Sequence, residues 1–120
     1  MSLQSNNFYT TLPAVIPFSG EQVEYNVTFR AEHPIFQGHF PAQPIVPGAC
    51  LVQMAEEMID QGGHFTAIRN LKFRTIITPD KSVRFVISQR TEQEFTILIH
   101  DDTITYAQFT ATYLRPHTNL

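Results

Sequence analysis

Apolar and polar residues alternate over residues 21–30 (EQVEYNVTFR), with Val23, Tyr25, Val27 and Phe29 on one side and Glu24, Asn26, Thr28 and Arg30 on the other. A period of two predicts a half-buried strand. The pattern then breaks at HPIFQGHFPAQPIVPG, residues 33–48, where four prolines and two glycines fall within sixteen residues. Each proline fixes φ and removes an N–H, so this stretch is expected to hold neither a regular helix nor a central strand. A stiff loop of that length in a small chain points to function more than to connection. After Pro47–Gly48, the residues Leu51, Met54, Ala55, Met58 and Ile59 recur at helical spacing, with Gly62–Gly63 as the expected stop. The opposite face carries Gln53, Glu56, Glu57 and Asp60.

The remainder is strand-like over 68–77, 83–90, 94–100 and 103–114, rich in β-branched and aromatic residues and divided by TPDK, TEQ and DD turns. One helix followed by a meander of strands must bury its apolar face on the sheet, so the expected class is α+β with an antiparallel sheet. The first few residues are polar and are expected to fray.

A chain of 120 residues is expected to form one domain spanning 1–120, and its 42% hydrophobic share suits a globular core. Net charge is −3, which gives no whole-molecule attraction to nucleic acid or to an anionic membrane. The charge is uneven, however. Arg69, Lys72, Arg74, Lys81, Arg84 and Arg90 cluster in one stretch whose only acid is Asp80, which suits either an acidic partner or a solvated strand face. The single Cys50 cannot close an internal disulfide. No leader-like amino-terminal segment and no run of about 18–20 apolar residues is present, so a cytoplasmic location is expected.

Among candidate reactive groups, His39 sits at the centre of the proline-rich loop, and imidazole is the side chain able to take and return a proton near neutrality. Gly48 and Ala49 open the helix, where backbone N–H groups lack intrahelical acceptors and carry partial positive charge. Such groups can hold a carbonyl oxygen that gains negative charge, although an ordinary helix start looks the same. Gln53 and Glu57 lie four residues apart on one helix face, which also describes a plain solvated stripe. The positions of Cys50, His33, His39 and His64 do not match zinc-ligand spacing, and no metal is expected.

Taken together, FQGHFPAQPIVPGACLVQMAEEM resembles the active-site segment of the hot-dog 3-hydroxyacyl-acyl carrier protein dehydratases, which runs G-H-F-P-x-x-P-x-x-P-G into a helix. Gly38, His39, Phe40, Pro41, Pro44, Pro47 and Gly48 match in register. LKFRTIITPDKSVRF resembles a second family segment, with Asp80 and Lys81 in place of its Gly-Asp. The resemblance implies a hot-dog fold, an antiparallel sheet wrapped around one central helix. It also implies a homodimer, open to higher assembly, in which the loop His of one subunit faces the helix acid of the other. The implied partner is acyl carrier protein, whose phosphopantetheine arm carries the substrate; no other cofactor is implied. His39 and Gln53 are the implied catalytic positions, with Phe40, Gly48, Ala49 and Glu57 about the substrate.

At one point the chain departs from the family. The family places an acid at residue 53, and here residue 53 is Gln, which can hydrogen-bond but cannot hand over a proton at neutral pH. Either His39 performs both proton transfers while Gln53 orients the hydroxyl, or Glu57 acts from one turn along, or dehydration is lost. The expected function is removal of water from a carrier-bound 3-hydroxyacyl thioester. A hot-dog acyl-thioesterase and a non-catalytic acyl-binding or partner subunit are the alternatives. If the remaining machinery is intact, Gln53→Glu is expected to raise dehydration.

Overall fold

The computed structural model describes residues 2–38 and 43–116. Two strands, β1 (Tyr9–Leu12) and β2 (Gln22–Phe29), precede a short helix α1 (Pro34–Gly38) and the main helix α2 (Gly48–Ile59). Four further strands follow: β3 (His64–Phe73), β4 (Ser82–Gln89), β5 (Glu94–His100) and β6 (Thr105–Leu114). All six strands join one antiparallel sheet in the order β1-β2-β4-β5-β6-β3.

The alternation in the sequence explains the layering. Tyr25, Val27 and Phe29 of β2, Val83, Phe85 and Ile87 of β4, and Phe95, Ile97 and Ile99 of β5 all turn inward and are buried. Leu51, Met54, Ala55, Met58 and Ile59 of α2 complete the same core, so the helix lies with its apolar stripe on the sheet. Edge-on ring pairs fasten the far end of the helix, with Phe95 meeting Phe18 at 5.2 Å and Tyr113 at 5.8 Å. The carbonyl of Ile59 accepts the Phe18 N–H at 2.8 Å.

Four expectations need correction. The amino-terminal residues do not fray: Leu3 and Phe8 are buried, and residues 2–7 form a turn leading into β1. The proline-rich stretch does contain one helical turn, α1, because Pro34 occupies the first position, where its missing N–H costs nothing. The main helix ends at Asp60 in a left-handed conformation (φ 53°), two residues before the glycine pair. Strand β3 also starts four residues before the expected position and is an edge strand, broken by irregular pairing at Phe65/Ala67 and Arg69/Lys72. Asn70 relieves the second irregularity by adopting positive φ (55°), which Asn tolerates better than most residues.

The β5–β6 turn is held by one carboxylate. Asp101 accepts hydrogen bonds from the Thr103 and Ile104 N–H groups, each at 2.8 Å, and from the Tyr106 hydroxyl. The Tyr106 bond, followed by the two backbone donors, holds the Asp101 carboxyl well below the usual carboxylate range. The same bond, then burial, pushes the Tyr106 hydroxyl up to about 12. Because the folded pKa of Asp101 lies below its unfolded value, its contribution is full above about pH 4 and is lost as pH falls below that. Tyr106 has the opposite sign, and its contribution fades only as pH rises from about 10 to about 12. Asp101→Asn is therefore expected to flatten the acid limb of the stability-versus-pH curve measured by thermal melting. An acid limb identical to wild type would exclude this turn as its source.

Candidate functional site

The amino end of α2 is set by Pro47, whose extended backbone (φ −62°, ψ 141°) starts the helix without a side-chain cap. The Cys50 and Leu51 N–H groups return to the Pro47 carbonyl at 3.0 and 3.3 Å. Helix geometry leaves the Gly48 and Ala49 N–H groups without intrahelical acceptors, at the positive end of the dipole. Beside them lies an open, mainly apolar cleft of about 450 Å³, lined by Ile45, Gly48, Ala49, Phe73, Ile76 and their neighbours. Its position is fixed by the Val46 N–H, which donates to the Ile77 carbonyl at 2.7 Å and ties the end of the proline-rich loop to the segment after β3.

Gly48 is required for this geometry. A Cβ there would lie 2.7 Å from Cζ of Phe73, whose ring covers the helix start yet is 52% exposed. A half-exposed ring can swing aside, so Gly48→Ala is expected to fold with a near-wild-type melting temperature. The displaced ring and the new methyl group would narrow the cleft. We expect a several-fold rise in KM for an acyl thioester; an unchanged KM would show that acyl chains do not pass Gly48.

Gln53 and Glu57 open onto a second cleft of about 440 Å³, whose lining shares no residue with the first. Glu57 is heavily engaged. Its Oε2 accepts the Leu3 N–H at 2.8 Å and Gln53 Nε2 at 3.1 Å, and its Oε1 accepts the Gln4 N–H at 3.0 Å and the Tyr9 hydroxyl at 2.9 Å. Burial, reinforced by the Glu57 charge, pushes the Tyr9 hydroxyl far above its ordinary pKa, so Tyr9 remains a donor. The sequence reading missed this clamp because it assigned the amino terminus to a frayed tail. The adjacent Phe8 and Tyr9 were the available signal, as large apolar residues so close to a chain end need something to pack on.

His39 and Phe40 lie outside the described residues. The chain on either side of them is well anchored: Phe36 is buried and stacks on Phe8 at 5.1 Å, and Val46 is buried. His33 has a local role, its Nδ1 accepting the Ile35 N–H at 3.1 Å at the start of α1. Burial, followed by the Glu57 charge, raises the Cys50 thiol pKa, which opposes use of Cys50 as a nucleophile. Among the described residues, no group of three His, Cys, Asp or Glu side chains is arranged to hold a metal ion, and no helix is long and apolar enough to cross a membrane.

The basic stretch is partly neutralised. Arg69 pairs with Glu94 and Arg84 with Asp102, while Lys72 and Arg90 line an outer cleft of about 560 Å³ that has no acidic lining residue.

An antiparallel sheet packed on one main helix is the hot-dog architecture, and solved structures bear this out. The dehydratase heterocomplex ApeI:P from Xenorhabdus doucetiae matches with a TM-score of 0.70 at 20% identity, over 81% of this chain and 90% of the other. An uncharacterized protein from Erwinia carotovora subsp. atroseptica matches with a TM-score of 0.68 at 23% identity, over 89% of this chain and 96% of the other. Residues 16–109 match the ApeI dehydratase family model, and the chain belongs to this ApeI-like family.

Among curated relatives, the 3-hydroxyacyl-[acyl-carrier-protein] dehydratase FabZ of Acetivibrio thermocellus is 39% identical over 70 residues, covering 49% of this chain and 47% of that protein. The FabZ of Shewanella oneidensis is 25% identical over 101 residues, covering 71% of this chain and 66% of that protein. The chain thus spans about half the length of the curated relatives it matches.

Proposed function

We propose that this chain is a hydro-lyase that removes water from a 3-hydroxyacyl thioester carried on the phosphopantetheine arm of acyl carrier protein, giving the trans-2-enoyl thioester. The observation that carries the reading is the apolar cleft beside Gly48 and Ala49, in a chain of a dehydratase family. The thioester carbonyl would rest on the Gly48 N–H, which acidifies C2 by accommodating charge on oxygen. The His39 imidazole would take the C2 proton as the C3–O bond breaks. It would then return that proton to the departing hydroxyl, which leaves as water. The elimination is redox-neutral and calls for no diffusible cofactor.

Gln53 and Gly48 face separate clefts within one chain, which favours a site shared by two subunits. The exposed edge strand β3 offers a place for a second copy to pair, so a homodimer is the assembly we propose. Lys72 and Arg90 provide positive charge suited to an acidic carrier protein.

Incubation of the purified chain with 3-hydroxyacyl-acyl carrier protein should yield the conjugated enoyl thioester, detected by ultraviolet absorbance and mass spectrometry. Release of free thiol instead would point to a thioesterase. A second reading, favoured by Gln53, makes this chain one half of a mixed site whose acid comes from a different hot-dog subunit. The solved relative described as a dehydratase heterocomplex gives that reading a concrete form. No product from the chain alone, with product on adding the second subunit, would decide for it.

A further inference from the structure

We infer that Arg74 is a phosphate-binding residue at the mouth of the apolar cleft, so that the site selects thioesters carried on a phosphorylated pantetheine arm over the same thioesters on bare pantetheine. The inference rests on the reading that an acyl thioester enters this cleft, and it names the residue that recognises the carrier side of that ligand.

The cleft beside Gly48 is lined by glycine and apolar side chains except at two consecutive positions, Arg74 and Thr75. Both are exposed, as is the neighbouring Ile76, whereas Val46, Leu51 and Ile77 of the same lining are buried. The buried residues form the floor, and the polar pair stands at the rim. An acyl chain leaving water runs toward the floor. The backbone at the rim is fixed, because the Arg74 and Thr75 N–H groups both donate to the Tyr106 carbonyl, at 2.8 and 3.3 Å.

Arg74 has no anion of its own. Among the described residues its guanidinium makes no ion pair and no hydrogen bond. The acids at this end of the sheet are committed elsewhere: Asp102 to Arg84, Asp101 to Tyr106 and two backbone N–H groups, and Asp80 to the Thr78 hydroxyl. Arg30, Arg69 and Arg115, by contrast, are held by Glu32, Glu94 and Gln61. A guanidinium fork offers several donors and no acceptor, which matches the oxygens of a phosphate. The Thr75 hydroxyl beside it can add one more donor.

Position decides between the anions a thioester could bring. A carboxylate at the far end of the acyl chain would be driven onto the floor, where the lining offers no polar side chain. A phosphate on the pantetheine arm lies on the opposite side of the thioester from the acyl chain, and so falls at the rim. A carboxylate of the carrier protein could also approach there, and it is told apart by removing the protein while keeping the phosphate.

The test measures the full chain's affinity for three saturated acyl thioesters of equal chain length, on pantetheine, on phosphopantetheine and on intact acyl carrier protein. Saturated chains have no hydroxyl to eliminate, so binding is read without turnover. At low salt, wild type is expected to bind the phosphopantetheine thioester about tenfold more tightly than the pantetheine thioester, the worth of one charge-assisted hydrogen bond. The margin should shrink as ionic strength rises. Arg74→Met keeps an apolar stem and removes the charge. It should bring the ratio close to one and leave affinity for the pantetheine thioester unchanged. Arg74→Lys should keep part of the margin, because a point charge attracts phosphate without the fork. Arg90→Met, on the outer cleft, should keep the wild-type ratio. Because the Arg74 side chain ties down no other part of the fold, these variants are expected to melt with wild type.

A wild-type ratio near one, or a ratio retained in Arg74→Met, would overturn the inference. A preference seen only with the intact carrier protein, and lost in Arg74→Met, would assign Arg74 to a carboxylate of that protein and overturn the phosphate assignment. An equal loss in Arg90→Met would reduce the effect to overall charge and overturn it as well. Dehydration of the carrier-bound substrate without any phosphate preference would leave the dehydratase reading standing and remove this one. A preference that follows Arg74, with no turnover, would do the reverse.

Discussion

His39→Ala is expected to lower the rate of enoyl-thioester formation by about 10²–10⁴-fold, the range typical for removal of a positioned acid–base group. The upper end is the more apt, because the proposed elimination routes both proton transfers through one imidazole. With Gln53 unable to protonate the leaving hydroxyl, no second titrating group shares the task. The fold should survive the change. The anchors of the loop are Phe36, stacked on Phe8, and Val46, bonded to Ile77, and neither is altered. The measurement is therefore paired: turnover of the carrier-bound substrate, and the melting temperature of the same preparation. A variant that melts like wild type and keeps its rate would remove His39 from the mechanism. Lost rate with an unchanged KM would place His39 in the chemistry and not in substrate binding.

Much of this architecture was legible in the residues because it follows from simple periodicity. The alternation in β2, β4 and β5 places one face in the core at every second residue, and the α2 stripe from Leu51 to Ile59 is buried as its spacing predicts. What escaped was tertiary in origin. The turn at residues 2–7 has little local propensity for order and is ordered by a carboxylate more than fifty residues away, at Glu57. Helix α2 stops at Asp60 although glycines follow at 62 and 63, and the reason for Gly63 lies on another strand. The candidate site divided in the same way. Gly48 was readable as a helix start, whereas the Phe73 ring above it comes from the far end of β3. Gln53 and Glu57 were readable as a pair, but which of them is clamped depends on Leu3, Gln4 and Tyr9, which no helix pattern contains.

Gly63→Ala is expected to be the most damaging of the small glycine substitutions, and the reason is what each added methyl group would meet. At Gly63 the new Cβ would sit 2.2 Å from the Leu114 carbonyl oxygen and 2.7 Å from the Tyr113 ring. At Gly48 the obstacle is the far end of an exposed ring, but here it is the backbone of β6, paired with β3 at His64 and Leu114. Relief requires the two strands to separate. That movement also pulls the Gly63 N–H from the Tyr113 hydroxyl, which accepts it at 2.7 Å and the Gln61 N–H at 3.2 Å. Tyr113 is fully buried against Phe95, so its displacement reaches the core. Overpacking of this kind costs about 3 kcal/mol at the upper end of its usual range, or about 10–15 °C in melting temperature for a chain of this size. Gly62→Ala meets only Pro116, at 3.4 Å, and carries instead the strain of a positive φ (74°), a cost of about 1 kcal/mol. The expected order of melting temperatures is therefore wild type and Gly48→Ala highest, Gly62→Ala lower, and Gly63→Ala lowest by a wide margin. Because β3 carries Phe73 to the cleft at its other end, Gly63→Ala should also lose activity on warming well before wild type does. A Gly63→Ala protein that melts with wild type would mean that β3 leaves the helix by a different path at this corner, and the placement of Phe73 over Gly48 would fall with it.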